Sequence, residues 1–197
     1  MSRVVHPIEQ ESYRILRDRV DLRRLPPLTR AVVERVVHAS ADLDYVTDLV
    51  CDEAALAGGL AALRAGASIV TDVAMVAAGI TRAGREIVCP VAEPGTAVLA
   101  GETGLTRSAA AVRIALGRVG PGAVWVVGCA PTALFELIAV DAAPALVVGL
   151  PVGFVGAAES KAALRASGLP AVSNIGEKGG SAVAAAALNA LLYQEET

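Results

Sequence analysis

Residues 123–174 read AVWVVGCAPTALFELIAVDAAPALVVGLPVGFVGAAESKAALRASGLPAVSN. Three short apolar runs, "AVWVVG", "ALVVG" and "PAVSN", alternate with two helical stretches, "CAPTALFELIAV" and "AAESKAALRASG". Successive positions in the first two runs are apolar, so both faces of those strands are expected to be buried. Buried strands separated by helices are the pattern of a parallel sheet covered on both sides. The alternation continues outward. "DLVC", "ASIVTD" and "REIVCP" are predicted strands. Helices are predicted from Pro7 to about Val20, from about Leu28 to Ala39, and over "DEAALAGGLAALRAG" and "VAMVAAGI". Two more cover "TRSAAAVRIALGR", opening on Thr106 or Ser108, and "GGSAVAAAALNALLYQ". No linker, low-complexity tract or repeat interrupts the series. The expected fold is α/β: a three-layer α/β/α arrangement with a mostly parallel sheet, residues 1–197 forming one domain.

Composition narrows the function classes. The chain has 197 residues, of which 54% are hydrophobic and only 3% aromatic. Its core is therefore expected to be built from Ala, Val and Leu. The formal net charge is −3, which gives no general electrostatic reason to bind nucleic acid or anionic lipid. Cys51, Cys89 and Cys129 lie far apart, a pattern of neither a disulfide framework nor a zinc site. Free thiols in a reducing cytoplasm are the expectation. "MSRVVHPIEQES" has no long apolar core and is not read as a signal peptide. Val119–Phe135 and Ala142–Ala158 lack charge and approach the length of a membrane span. Gly and Pro interrupt both, so each is read as a buried strand, a turn and a helix start.

In such a fold, ligands collect at the carboxyl ends of the strands. "GLPVGFVGAAESK" is a glycine-rich turn that opens a helix. It matches neither the Walker pattern nor G-x-G-x-x-G, and it reads equally as an anion site or as tight backbone packing. "GLTRSAAA" places Arg107 in the first turn of a helix, where the macrodipole disfavours a cation. "GITR" repeats the Thr-Arg pair at Thr81 and Arg82. Thr106–Arg107, Thr81–Arg82 and Arg35 would suit a ligand bearing several carboxylates; arginines that simply reach water give the same pattern.

The chain has two histidines. His6, before a proline, is read as a surface residue. His38 ends "VVERVVH", where Val32, Val33, Val36 and Val37 form one helical stripe and residues 31, 34, 35 and 38 the other face. Glu34 and Arg35 are its i−4 and i−3 neighbours, expected to push its protonation in opposite directions. The pattern describes a solvated histidine as well as an acid or base.

Taken together, "IEQESYRILR", "VVHASAD", "SIVTDVAMVAAGITR", "GLTRSAAA", "GCAPTALFELI", "GLPVGFVGAAESK" and "GEKGGSAVAAAALN" resemble the precorrin-8X methylmutases of cobalamin biosynthesis. The motifs run in the family's order from near residue 8 to residue 189. The resemblance implies a cytoplasmic isomerase that moves a methyl group from C-11 to C-12 of a tetrapyrrole, precorrin-8X, to give hydrogenobyrinate. It implies an α/β/α homodimer with substrate near the subunit interface. It implies neither metal nor other cofactor, because the methyl never leaves the substrate. By position His38 matches the catalytic histidine, and Ser12 and Arg35 match residues that hold the substrate. The chain departs at Leu105 and Cys129, where asparagine is common in the family. A tetrapyrrole carrier without catalysis, or a phosphate-binding transferase using the glycine-rich turn, would share several of these features.

Overall fold

The computed structural model describes residues 6–81 and 83–194. Six strands form one sheet: β1 (Leu49–Cys51), β2 (Ile69–Thr71), β3 (Ile87–Val88), β4 (Val124–Val127), β5 (Leu146–Gly149) and β6 (Ala171–Asn174). Their spatial order is β1-β6-β5-β4-β2-β3. All neighbours are parallel except β1, which runs antiparallel to β6 and pairs Val50 with Ser173. From β2 onward the chain returns to the same end of the sheet through helical segments before each next strand, as parallel pairing requires.

The helices are α1 (Pro7–Arg19), α2 (Pro27–Ser40), α3 (Tyr45–Asp48), α4 (Glu53–Arg64), α5 (Ala74–Gly79), α6 (Pro94–Thr103), α7 (Arg107–Val119), α8 (Pro131–Ala139), α9 (Ala157–Ala166) and α10 (Ser181–Leu192). Adjacent residues of β4 point to opposite faces of the sheet. Val124 and Val126 join one core, with residues of α1, α2, α4, α5 and α10. Trp125 and Val127 join the other, with residues of α7, α8 and α9. The result is the expected three-layer arrangement, and it explains why the central strands carry no polar face.

The sequence reading missed two helices. α3 is a single turn. α6, "PGTAVLAGET", has its apolar residues in a row rather than on a stripe, and only Thr96 is buried. α6 leaves Val98 58% exposed. Among the described residues, no helix is long and apolar enough to cross a membrane. The two uncharged stretches instead supply β4 and β5 with the turns that follow them. All three cysteines are free, and burial pushes the Cys51 thiol up to about 12.

Candidate active site

α2 carries the centre of the site. Val32, Val33, Val36 and Val37 are buried against α10, which turns residues 34, 35 and 38 toward α1. The N-terminus of α2 has no capping side chain of its own, since Pro26 occupies the N-cap. Glu53 at the start of α4 supplies the cap, accepting from Leu28 N and Thr29 N at 2.9 and 2.8 Å and from the Thr29 hydroxyl at 2.8 Å. The helix ends at Ala41, in the left-handed region at φ 55.

α1 lies along the polar face of α2. Glu9, Ser12 and Tyr13, spaced i, i+3 and i+4, share the face of α1 that meets it. The Ser12 hydroxyl is hydrogen-bonded to His38 Nδ1 at 2.7 Å. The Tyr13 ring stacks on the imidazole, with centroids 5.1 Å apart and planes at 28°. His38 is half-buried rather than a solvated surface group. His6 is exposed, and its ring accepts from Ile8 N at the start of α1.

The expected charge neighbours of His38 are turned elsewhere. Glu34 takes a paired hydrogen bond from Arg17, both contacts at 3.0 Å. Arg35 forms an ion pair with Glu9, both side chains only 15% exposed. Arg35 also donates to the Tyr13 and Tyr193 hydroxyls at 3.1 and 2.9 Å and lies 4.5 Å from the Tyr193 ring centre. Burial works against its charge, but the Tyr13, Tyr193 and Glu9 contacts outweigh it and hold the guanidinium protonated. The i−4 and i−3 spacing identified these residues but not their partners, because α1 and α10 offer closer ones.

Thr81 joins the same network. Its hydroxyl is 2.7 Å from the Tyr193 hydroxyl, and its N–H donates to Asn189 Oδ1 at 2.9 Å. Asn189 in turn donates to the Gly79 carbonyl, fixing the end of α5 against α10. Arg82 lies outside the described residues. Ser12, Arg35, His38 and Thr81 are therefore brought together around α2.

Thr106 and Arg107 sit apart from this group. Thr106 is the N-cap of α7, accepting from Ala109 N at 3.2 Å, and its hydroxyl is 2.8 Å from that of Thr132 in α8. Arg107 is exposed and, among the described residues, has no ion-pair partner. The turn entering α8 is held by Asp72, whose carboxylate accepts from the N–H groups of Gly128, Cys129 and Ala130 at 3.1, 2.8 and 2.7 Å. Burial nevertheless dominates and raises the Asp72 pKa. Cys129 therefore contributes its backbone N–H to this turn.

A cavity of about 130 Å³ opens beside His38, lined by Ser12, Ile15, Leu16, Arg19, Val37, His38, Ala41 and Leu43. Its wall is mostly apolar, with one imidazole, one hydroxyl and one guanidinium. A larger cavity of about 660 Å³ lies on the other flank of α1; His38 does not line it, its Arg17 and Arg23 are paired with Glu34 and Asp21, and exposed Arg30 also lines it. The loops near the His38 cavity are tied down. Lys161 is fully buried and donates to Asn174 Oδ1 at 3.1 Å and to the Lys178 carbonyl at 2.5 Å. Lys178 then pairs with Asp42 and Asp44, in the turn that follows the His38 helix. Gly179, at φ +157, lies so close that an added Cβ would meet the Leu150 carbonyl oxygen at 2.3 Å.

A family model described as precorrin-8X methylmutase matches residues 7–194. The chain belongs to that family. The cobalt-precorrin-8 methylmutase of Salmonella typhimurium is 44% identical over 94% of this chain and 93% of its own. The precorrin-8X methylmutase of Pseudomonas aeruginosa is likewise 44% identical, over 96% and 95%. A crystal structure of precorrin-8X methylmutase from Thermus thermophilus superimposes with a TM-score of 0.88 at 38% identity, covering 95% of each chain. Precorrin-8X methylmutases are isomerases, and this chain is one of them in sequence, fold and family activity. Sequence reasoning missed Glu9, Tyr13, Arg19, Asn189 and Tyr193. The Glu9–Ser12–Tyr13 spacing carried a usable signal, being one face of α1. Tyr193, 158 residues from Arg35, carried none.

Proposed function

We propose that this methylmutase moves the C-11 methyl group of precorrin-8X to C-12, with His38 as the acid that assists the migration. The observation that carries the reading is the imidazole held by Ser12 on the wall of a mostly apolar cavity. A [1,5]-sigmatropic shift needs neither a nucleophile nor an external methyl donor. It is helped by a proton or strong hydrogen bond that withdraws electrons from the conjugated ring, and by rigid positioning. Ser12 fixes the direction of Nδ1 and with it the in-plane orientation of the ring that would give the proton. Low polarity around the ring strengthens that interaction.

Substrate holding is assigned to Ser12, Arg35, Thr81, Arg82, Thr106 and Arg107. Arg107 is the strongest candidate for a substrate carboxylate, because its guanidinium is exposed and unpaired among the described residues. Arg35 acts from within the Glu9–Tyr13–Tyr193 cluster, presenting what its internal bonds leave available. The chain works as one domain, without metal or other cofactor, in the cytoplasm, where its free thiols would stay reduced.

The enzyme acts as a homodimer. The His38 cavity, about 130 Å³, is far smaller than the ~300–1,000 Å³ of ordinary small-molecule sites, so it takes an edge of the macrocycle and not the whole. Met75, Val98, Phe154 and Val155 are 70%, 58%, 91% and 89% exposed. A second copy would cover apolar surface of this kind and close over the ring.

The decisive test replaces His38 by Ala and follows appearance of the corrin chromophore. The position lies off the buried valine stripe, so the fold should persist by circular dichroism. Turnover should fall by about 10²–10⁴-fold. A folded variant that retains more than about a tenth of the rate removes His38 from the mechanism and leaves the carrier reading.

A further inference from the structure

We propose that Tyr13 is a positioning residue for the reaction: its ring fixes the tilt of the His38 imidazole, which the in-plane Ser12 bond does not itself set. This rests on His38 being the acid. The Ser12 bond to Nδ1, at 2.7 Å, restrains the imidazole at one atom within its plane. A single such bond leaves the ring able to tilt about the line joining the two atoms. A stacked face at 5.1 Å and 28° removes that tilt. The two restraints come from adjacent residues of α1, whose side chains leave the helix about 100° apart. One therefore meets the ring edge and the other its face.

Tyr13 is itself held. Its hydroxyl accepts from Arg35 Nη1 at 3.1 Å, and the Arg17 guanidinium lies 5.8 Å from its ring centre. Arg35 is anchored by Glu9 and by the Tyr193 hydroxyl, and Arg17 by Glu34. The orientation of one imidazole is thus set through a tyrosine braced by two arginines. Such bracing matters for an angular requirement. Transfer of a proton to a fixed atom of a large ring falls off steeply as the donor turns away.

The experiment compares Y13F, Y13L and Y13M with H38A in the full chain. Y13F keeps the stacking face and the Arg17 contact and loses the Arg35 bond, so its kcat should fall by less than about tenfold. Y13L and Y13M lose the stacking face, and kcat should fall by about 10²-fold while KM stays within about threefold. A residue that merely supports the fold would lower stability and leave per-molecule kcat alone. A spectroscopic arm is available because the chain has only two histidines. Ring C–H signals of His38 should be displaced by the Tyr13 ring current in wild type and Y13F. They should move toward those of exposed His6 in Y13L and Y13M. The wild-type spectrum needs no variant: undisplaced His38 signals overturn the proposal. So does wild-type kcat in folded Y13L or Y13M, or a Y13F as impaired as Y13L. If H38A keeps full rate, the acid reading itself has failed. If H38A is inactive and Y13L is not, only the role of Tyr13 has.

Discussion

Removing the carboxylate of Glu53 should loosen the helix that carries His38. The first N–H groups of a helix have no partner within it. In α2, Pro27 has no N–H, and Arg30 N bonds the Pro26 carbonyl at 2.8 Å. Leu28 N and Thr29 N depend on Glu53 alone, with the Thr29 hydroxyl as a third donor. Loss of a capping side chain ordinarily costs about 1 kcal/mol and reaches about 2. Glu53→Ala removes a charged acceptor serving two backbone groups, of which Leu28 is half-buried and Thr29 buried, so that only part of the lost bonding is regained from water. We therefore expect a loss of about 2–3 kcal/mol, and roughly half that for Glu53→Gln, which keeps one acceptor. For a chain of this size that is a fall in Tm of about 4–12 °C for the alanine variant. The pH dependence gives a second check. Burial pushes the Glu53 carboxyl upward, but the Leu28 and Thr29 contacts outweigh it and hold it below its ordinary value. A depressed folded pKa contributes stability that is present above the unfolded pKa and lost as pH falls through the folded one. The gap between wild type and Glu53→Gln should be full at about pH 6 and close below about pH 4. Urea melts followed by circular dichroism at both pH values would measure it. A neutral-pH difference below about 0.5 kcal/mol, or a gap that survives acidification, would refute the capping argument.

Arg107→Ala should raise KM by about tenfold or more with little change in Tm, and Arg107→Lys should recover only part of the loss; steady-state kinetics with purified substrate would show it. Lys161 should make stability pH-dependent. Burial, with Arg165 nearby, pushes its amine down to about 8. A base depressed on folding contributes stability that is full above its unfolded pKa, about 10.4, and is lost as pH falls through the folded value. Wild type should therefore gain stability relative to Lys161→Met as pH rises from about 8 to about 10.5, read from urea midpoints. Gly149→Ala would place a Cβ 2.4 Å from Leu164 Cδ2, and should cost about 1–3 kcal/mol in a chemical melt.

The sheet was legible because β4 and β5 are apolar at every position, which few other environments demand. Every strand of the sheet appears as a run in the sequence, and the direction of most follows from the helices between them. α6 was not legible: Ala97, Val98, Leu99 and Ala100 stand in a row, and an amphipathic reading needs them spaced by three and four. The valine stripe of α2 placed His38 on the polar face correctly. It could not say that the face is covered by α1, so Glu34 and Arg35 seemed to belong to the histidine. Local spacing reports which residues share a face, whereas their partners are chosen by packing between elements. Periodicity singled out His38, whereas Ser12, 26 residues away, came from the resemblance to the family.

The link from Arg35 to both Glu9 and Tyr193 has a consequence for how the enzyme comes into being. A ribosome makes α1 and α2 early and residue 193 late. Until Tyr193 emerges, Arg35 lacks one of its two tyrosine partners and Thr81 lacks the hydroxyl it meets. The sheet strands precede that point, so a nascent chain halted before α10 would hold much of its secondary structure without the surface on which α2 packs. Vectorial folding thus leaves the histidine site to the final step of assembly. A chain that is cut short would have no partly formed centre with which to bind a reactive tetrapyrrole.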